Sequence, residues 1–218
     1  VPAHYPPVAG ALAWSRGLIE RVGAPLPKFQ ALEQQQPHVW AREETKDVVK
    51  ASRALLTTLQ DYEARSADAW SKDVESSSQS KLQLPLLTRN SKTEHLAVNF
   101  DPVLVRLLRE VKYFRLLDLP VPAPAMGVYQ QVELFRRWTG NLELIAHTHN
   151  ASWSALHPVE MPLVRPYLDQ FNQVVQTGLR ALQWQSDEAL VQNFLVEALA
   201  KVQGVEAVVQ TMKRNLST

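Results

Sequence analysis

From Val191 to Leu216 the apolar residues Val191, Leu195, Ala198, Val202, Val205, Val209, Met212 and Leu216 recur at alternating steps of four and three without a miss. Only an α-helix gathers such positions on one side, because a strand would scatter them over both of its faces. The seam is narrow, and strict spacing of this kind suits packing along the length of another helix. Ser186 is the expected cap, with Asp187 and Glu188 in the first turn, where the helix dipole favours negative charge. Running from Asp187 to Ser217, the helix would be about 46 Å long at 1.5 Å per residue. The helix expected before it, Pro162–Leu182, is shorter. Val205, Val209, Met212 and Leu216 are therefore expected to be only partly covered and to form a contact surface for a further helical bundle or an accessory chain.

Helical spacing recurs upstream. In NFDPVLVRLLREVKYFRLL, Asn99–Leu117, the residues Val103, Leu104, Leu107, Leu108, Val111, Phe114 and Leu117 make one apolar face. Asp101 is its expected N-cap and Pro102 its first helical residue, where a missing N–H costs nothing. Further helices are expected over Pro6–Val22 and over Val39–Val74, the latter with Val48, Leu55, Leu59 and Tyr62 as its core stripe. Another spans Met126–Leu156, with Phe135, Trp138, Leu142, Ile145, His149 and Trp153 in step. The punctuation agrees: 14 prolines against 7 glycines is a poor supply of turn residues for a sheet-rich fold. Glu75–Ser80 (ESSSQS) reads as a polar loop, and Pro120–Ala125 (PVPAPA) as a stiff connector. Two short β-compatible runs, Leu84–Thr88 and Leu96–Phe100, suggest one hairpin, with an irregular loop as the alternative. The expectation is a mainly α fold of elongated antiparallel helical bundles with one small β-hairpin. Its expected parts are a first bundle segment over 1–80, the hairpin over 81–100 and a second bundle segment over 101–218.

The chemistry of the chain is mostly negative. With 23 basic and 22 acidic residues in 218, the net charge of +1 gives no reason to expect nucleic acid or an anionic membrane surface. No window approaches the roughly 20 apolar residues of a membrane span. The absence of cysteine removes thiolate catalysis, disulfides and cysteine-based zinc sites. Neither a G-x-x-x-x-G-K-[ST] nor a G-x-G-x-x-G phosphate cradle is present, and the seven glycines are isolated. His147 and His149 are two apart on a helix and so point away from each other, one expected buried and one exposed, with no metal between them. Adjacent Glu43 and Glu44 read as a wet helix face. Arg106, Arg109, Lys112 and Arg115 form a basic stripe that either meets an acidic partner or pairs within the fold. Arg136 and Arg137 carry the same two readings, and no catalytic, cofactor or metal-binding residue is expected.

Four stretches, in order, resemble the tail of dynein heavy chains in their axonemal wording. They are PPVAGALAWSRGLIERV (Pro6–Val22), NFDPVLVRLLREVKYF (Asn99–Phe114), VELFRRWTGNLELIAHTHN (Val132–Asn150) and GLRALQWQSD (Gly178–Asp187). The resemblance implies a fragment of the helical stem of a microtubule motor, in the cytoplasm and cytoskeleton, in the axoneme of a cilium or flagellum. It implies as partners dynein intermediate chains, neighbouring dynein heavy chains and other tail bundles of the same chain. ATP and Mg would belong to the motor domain of the full-length chain, so the segment itself is expected to be non-catalytic. Proline-rich Gly23–Pro27 and serine-rich Ser76–Ser80 depart from the family wording. An unrelated helical rod or tethering scaffold, spectrin-like, is the alternative.

Overall fold

A computed structural model describes the backbone of residues 4–216 and the side chains of residues 4–215. Leu216 of the expected seam therefore has its side chain outside the described residues, and Ser217 lies outside them altogether. Helix makes up 78% of the structure and the two-stranded sheet is antiparallel, so the fold is mainly α with a small hairpin. The elements are α1 (Pro7–Gly23), α2 (Leu26–Gln35), α3 (Pro37–Trp40), α4 (Glu43–Leu82), β1 (Leu87–Arg89), β2 (Leu96–Val98), α5 (Pro102–Leu116), α6 (Ala123–Gln130), α7 (Val132–Ala155), α8 (Met161–Arg180) and α9 (Glu188–Leu216). They gather into two compact units, each built from two stretches of chain. One unit is residues 1–76 with 106–126, and the other is residues 77–105 with 127–218. Both changes of unit before residue 110 fall inside helices, in α4 and in α5, whereas the sequence reading divided the chain at 80 and 100.

In the first unit α1, α4 and α5 share a core of Leu12, Val49, Leu59, Trp70, Leu107, Val111 and Phe114. The rings of Trp70 and Phe114 lie 4.3 Å apart. Helix α1 starts at Pro7 and has no side-chain cap from its own Pro6. Its first free amides are taken instead from more than 100 residues away. Glu110 Oε1 accepts the N–H of Val8 at 2.9 Å and Oε2 that of Ala9 at 2.8 Å. Arg16 ties α1 to α4 through Glu63, at 2.8 Å, and gives Nη1 to the carbonyl of Leu117 just past the end of α5. Helix α5 stops there because Asp118 takes a left-handed conformation, φ 52°, which lets the N–H of Leu119 reach back to the carbonyl of Phe114.

The long helix departs from expectation at both ends and on its face. A separate turn, α3, precedes it, and it continues through ESSSQS to Leu82. Serine is a weak helix former, but Val74 and Ser78 are buried on the same side and tertiary packing overrides propensity. Of the expected stripe only Leu59 is buried; Val48, Leu55 and Tyr62 are 48%, 47% and 37% exposed. The covered face is the adjacent one, carrying Val49, Leu59, Trp70 and Val74. The stiff connector is also shorter than expected, since α6 starts at Ala123, and a break at Gln131 separates α6 from α7.

In the second unit α9 packs against both α7 and α8, while β2 lies on α7 and β1 on α8. The hairpin register pairs Leu87 with Val98, Thr88 with Ala97 and Arg89 with Leu96. Asp101 caps α5 as expected, accepting the N–H of Val103 at 2.8 Å, and it also holds Lys81 at 3.0 Å. At α9 the cap is Asp187, whose Oδ1 accepts the amides of Ala189 and Leu190. Ser186, the expected cap, instead accepts the N–H of Gln183 and shapes the turn before the helix. At Gly178, α8 lies close against a side chain of α9: a Cβ there would overlap the ring of Phe194. Trp184, fully buried, gives Nε1 to the carbonyl of Asn99 at 2.8 Å and packs among Phe100, Phe135 and Trp138.

Candidate functional site

The C-terminal seam does not form an open strip. Val205 is fully buried and Val209 is 4% exposed, so both are core residues. The expectation weighed only the preceding helix as cover, whereas α9 has two neighbours and α7 closes the side that α8 leaves. Met212, half-buried, stands at the edge of that core. It lines an open groove of about 480 Å³ with Leu163, Ala207, Val208, Thr211 and Asn215. Leu163 is 67% exposed at its rim. An ion pair joins the start of α8 to the last turn of α9 near this groove. Lys213 Nζ reaches both oxygens of Glu160, at 2.7 and 2.6 Å, where α8 begins. The ammonium of Lys213, and after it the N–H of His157, keep the Glu160 carboxyl below its ordinary pKa. An apolar floor between two pinned helix ends can receive one or two apolar side chains of another helix.

Arg136 and Arg137 are both exposed, and each has a partner inside the fold. Arg136 meets Glu133 one turn earlier at 2.7 Å, and Arg137 reaches Glu188 in the first turn of α9 at 2.6 Å. The second pair joins two helices at the start of α9. Neither is an unpaired cation waiting for an acidic partner, which favours intramolecular pairing for this dipeptide.

The histidines divide as expected, with His147 exposed and His149 buried. His149 stacks on Phe171 at 5.2 Å and lies 3.2 Å from Asn150 Oδ1. Burial holds its pKa below the usual 6.5, against the pull of the Asn150 hydrogen bond. Asn150 fixes the hairpin to α7: its Oδ1 accepts the N–H of Leu96 and its Nδ2 donates to the Leu96 carbonyl, both at 2.8 Å. Sequence reasoning missed this clamp, and it did not single out Glu110 beside the basic stripe. The one available signal for Glu110 is that it is the sole acid in α5, among four cations. Among the described residues, no three His, Asp or Glu side chains come together to hold a metal ion, and no helix is long and apolar enough to cross a membrane. A second apolar surface exists in the first unit, where Val22, Leu26, Phe29, Val48, Ala51 and Leu55 line a groove of about 360 Å³.

What the groove offers is shape and packing; its lining residues lie outside the four stretches singled out in the sequence, which carry structural contacts of the two units instead: the cap at Asp101, the inward Glu110, the Asn150 clamp, the Gly178 contact and the Trp184 anchor. A family model described as dynein heavy chain, N-terminal region 1, matches residues 1–212. The beta chain of the flagellar outer-arm dynein of Chlamydomonas reinhardtii is 31% identical over 99% of this chain. The ciliary dynein beta chain of Tripneustes gratilla is 29% identical over 98% of it, and dynein axonemal heavy chain 9 of Homo sapiens 27% identical over 99%. This chain spans only 5% of the length of each of those relatives. The match in sequence, the helical fold and the four ordered stretches agree, and the chain belongs to the dynein heavy chain N-terminal region 1 family.

Proposed function

We propose that this segment is a non-catalytic scaffold in the tail of an axonemal dynein heavy chain. In that reading it helps build and dock an arm of a cilium or flagellum, while ATP hydrolysis belongs to another part of the heavy chain and the segment itself needs no cofactor. Its partners are other tail bundles of the same chain, neighbouring heavy chains and intermediate chains. The relatives support the axonemal setting, being named as flagellar outer-arm, ciliary and axonemal chains. The observation that carries the docking role is the open groove between α8 and α9, with Leu163 mostly in water above Val208 and Met212. Removing those apolar side chains from water against another helix is worth about 25 cal/mol per Å².

Because Val205 and Val209 are core, charging them would unfold the segment and report nothing about docking. The test is Val208→Lys with Met212→Lys in the full heavy chain, with assembly of the arm followed by co-purification of its subunits and by imaging of the axoneme. Weakened assembly with unchanged helix content in the isolated segment is the expected result. Normal assembly with every subunit retained would remove the groove from the docking surface.

A further inference from the structure

Helix α5 turns its only carboxylate inward. Glu110 is 5% exposed and uses both oxygens on the amides of Val8 and Ala9. The outward side of the same helix in the first unit carries Arg106, Arg109 and Lys112, all exposed. Among the described residues none of these three meets a carboxylate; Arg109 gives Nη2 to the carbonyl of His4 at 2.7 Å, a neutral acceptor that leaves its charge intact. Elsewhere the fold does pair its cations across elements, as in Arg16–Glu63, Arg137–Glu188 and Lys213–Glu160. Beside the three cations, Leu116 is 69% exposed and Tyr113 packs on Tyr5 with ring centroids 4.8 Å apart. The face is therefore basic along about 9 Å of helix, at 1.5 Å per residue, and apolar at its end.

We propose that this face of α5 docks an acidic amphipathic helix of a partner protein. Its carboxylates would meet Arg106, Arg109 and Lys112, and an apolar side chain would cover Leu116. Charge complementarity selects the partner's sign, and guanidinium forks favour carboxylates that can be held by two hydrogen bonds. Spacing selects its form. The three cations follow one another by about 4.5 Å along the axis, which glutamates three or four apart on a facing helix match. An extended strand offers same-side carboxylates only every ~6.6 Å. The net charge of +1 over the chain and the exposed leucine favour protein over nucleic acid. The proposal is independent of the groove between α8 and α9, and its failure leaves the scaffold reading as it stands.

The test uses the whole 218-residue chain and a fluorescent synthetic amphipathic helix of about 20 residues, long enough to hold helical structure, with glutamates at i, i+4 and i+7 beside a leucine stripe. A single-stranded oligonucleotide of similar length is the second probe. Anisotropy should show saturable micromolar binding of the peptide at low salt, weakened about tenfold in high salt as the charges are screened. Arg106→Glu with Lys112→Glu should cost another tenfold or so, with the circular dichroism spectrum unchanged because both side chains stand in water. Lys50→Glu with Arg53→Glu, on the exposed side of α4, alters net charge equally and should change affinity by less than about twofold. Absent saturation at low salt, equal losses in the two double variants, or an oligonucleotide bound as tightly as the peptide would each overturn the proposal.

Discussion

Replacing Glu110 by glutamine isolates the energetics of a cap supplied from a distant part of the chain. The carboxylate is buried and accepts two backbone N–H groups at 2.9 and 2.8 Å, both from the first turn of α1. A hydrogen bond to a charged group contributes about 1.5–3 kcal/mol, and a partly buried anion at a helix N-terminus gains up to ~2 kcal/mol from the dipole, an overlapping effect. Glutamine keeps one acceptor oxygen, so one N–H stays paired without charge assistance. The other N–H would face the amide NH2, donor against donor, beside a side chain only 5% exposed. The expected cost is about 2–3 kcal/mol for Glu110→Gln and about 3–5 kcal/mol for Glu110→Ala, which also leaves a cavity. For a chain of this size that is a lowering of Tm by roughly 5–15 °C. Urea unfolding followed by far-ultraviolet circular dichroism measures the loss, and amide exchange at Val8 and Ala9 locates it. A Glu110→Gln variant within about 0.5 kcal/mol of the parent, the range of ordinary surface substitutions, would refute the distant cap as a source of stability.

Gly178→Ala places a methyl group against the ring of Phe194 and should destabilise the second unit by about 1–3 kcal/mol; a Phe194→Leu background should recover part of the loss, and no loss in the single variant would mean that α8 and α9 separate freely there. His149 titrates below its usual 6.5 because burial disfavours the imidazolium, so the unfolded chain takes up the proton first. Stability is accordingly full above about pH 6.5 and falls as pH drops from there toward the depressed folded value, by up to ~1.4 kcal/mol per pH unit. In His149→Phe that part of the slope should vanish in urea titrations across the window, and an unchanged slope would assign it to another group.

How much of this was legible in the sequence depended on where a residue's partner lies. Helix α9 and the Asp101 cap were readable because their signals are local: a repeat of four and three, or an aspartate followed by proline. The hairpin was readable because a change of period marks it. Helix α4 shows where periodicity runs out. It carries two neighbouring apolar stripes, one through Val48, Leu55 and Tyr62 and one through Val49, Leu59 and Trp70, and spacing alone does not choose between them. Glu110 and Asn150 were illegible for a plainer reason. Each is a polar residue that no local pattern marks, and what makes it structural is a backbone group brought in from elsewhere by the fold, Val8 in one case and Leu96 in the other. The buried Val205 and Val209 follow the same logic, since their cover includes α7, which the chain reaches two helices earlier.

The Asn150 clamp has a consequence for behaviour in a crowd. A two-stranded ribbon has two edges, and each exposed edge is a template on which another chain can add a strand. Here the outer edge of β2 is occupied at Leu96, whose N–H and carbonyl are both taken by one side-chain amide. The chain just before β1 is occupied as well, where Leu86 donates to the carbonyl of Leu182 and Pro85 bridges to Gln183. An incoming strand finds those backbone groups already paired, so the smallest sheet in a mostly helical protein does not seed aggregation at the positions where it is held.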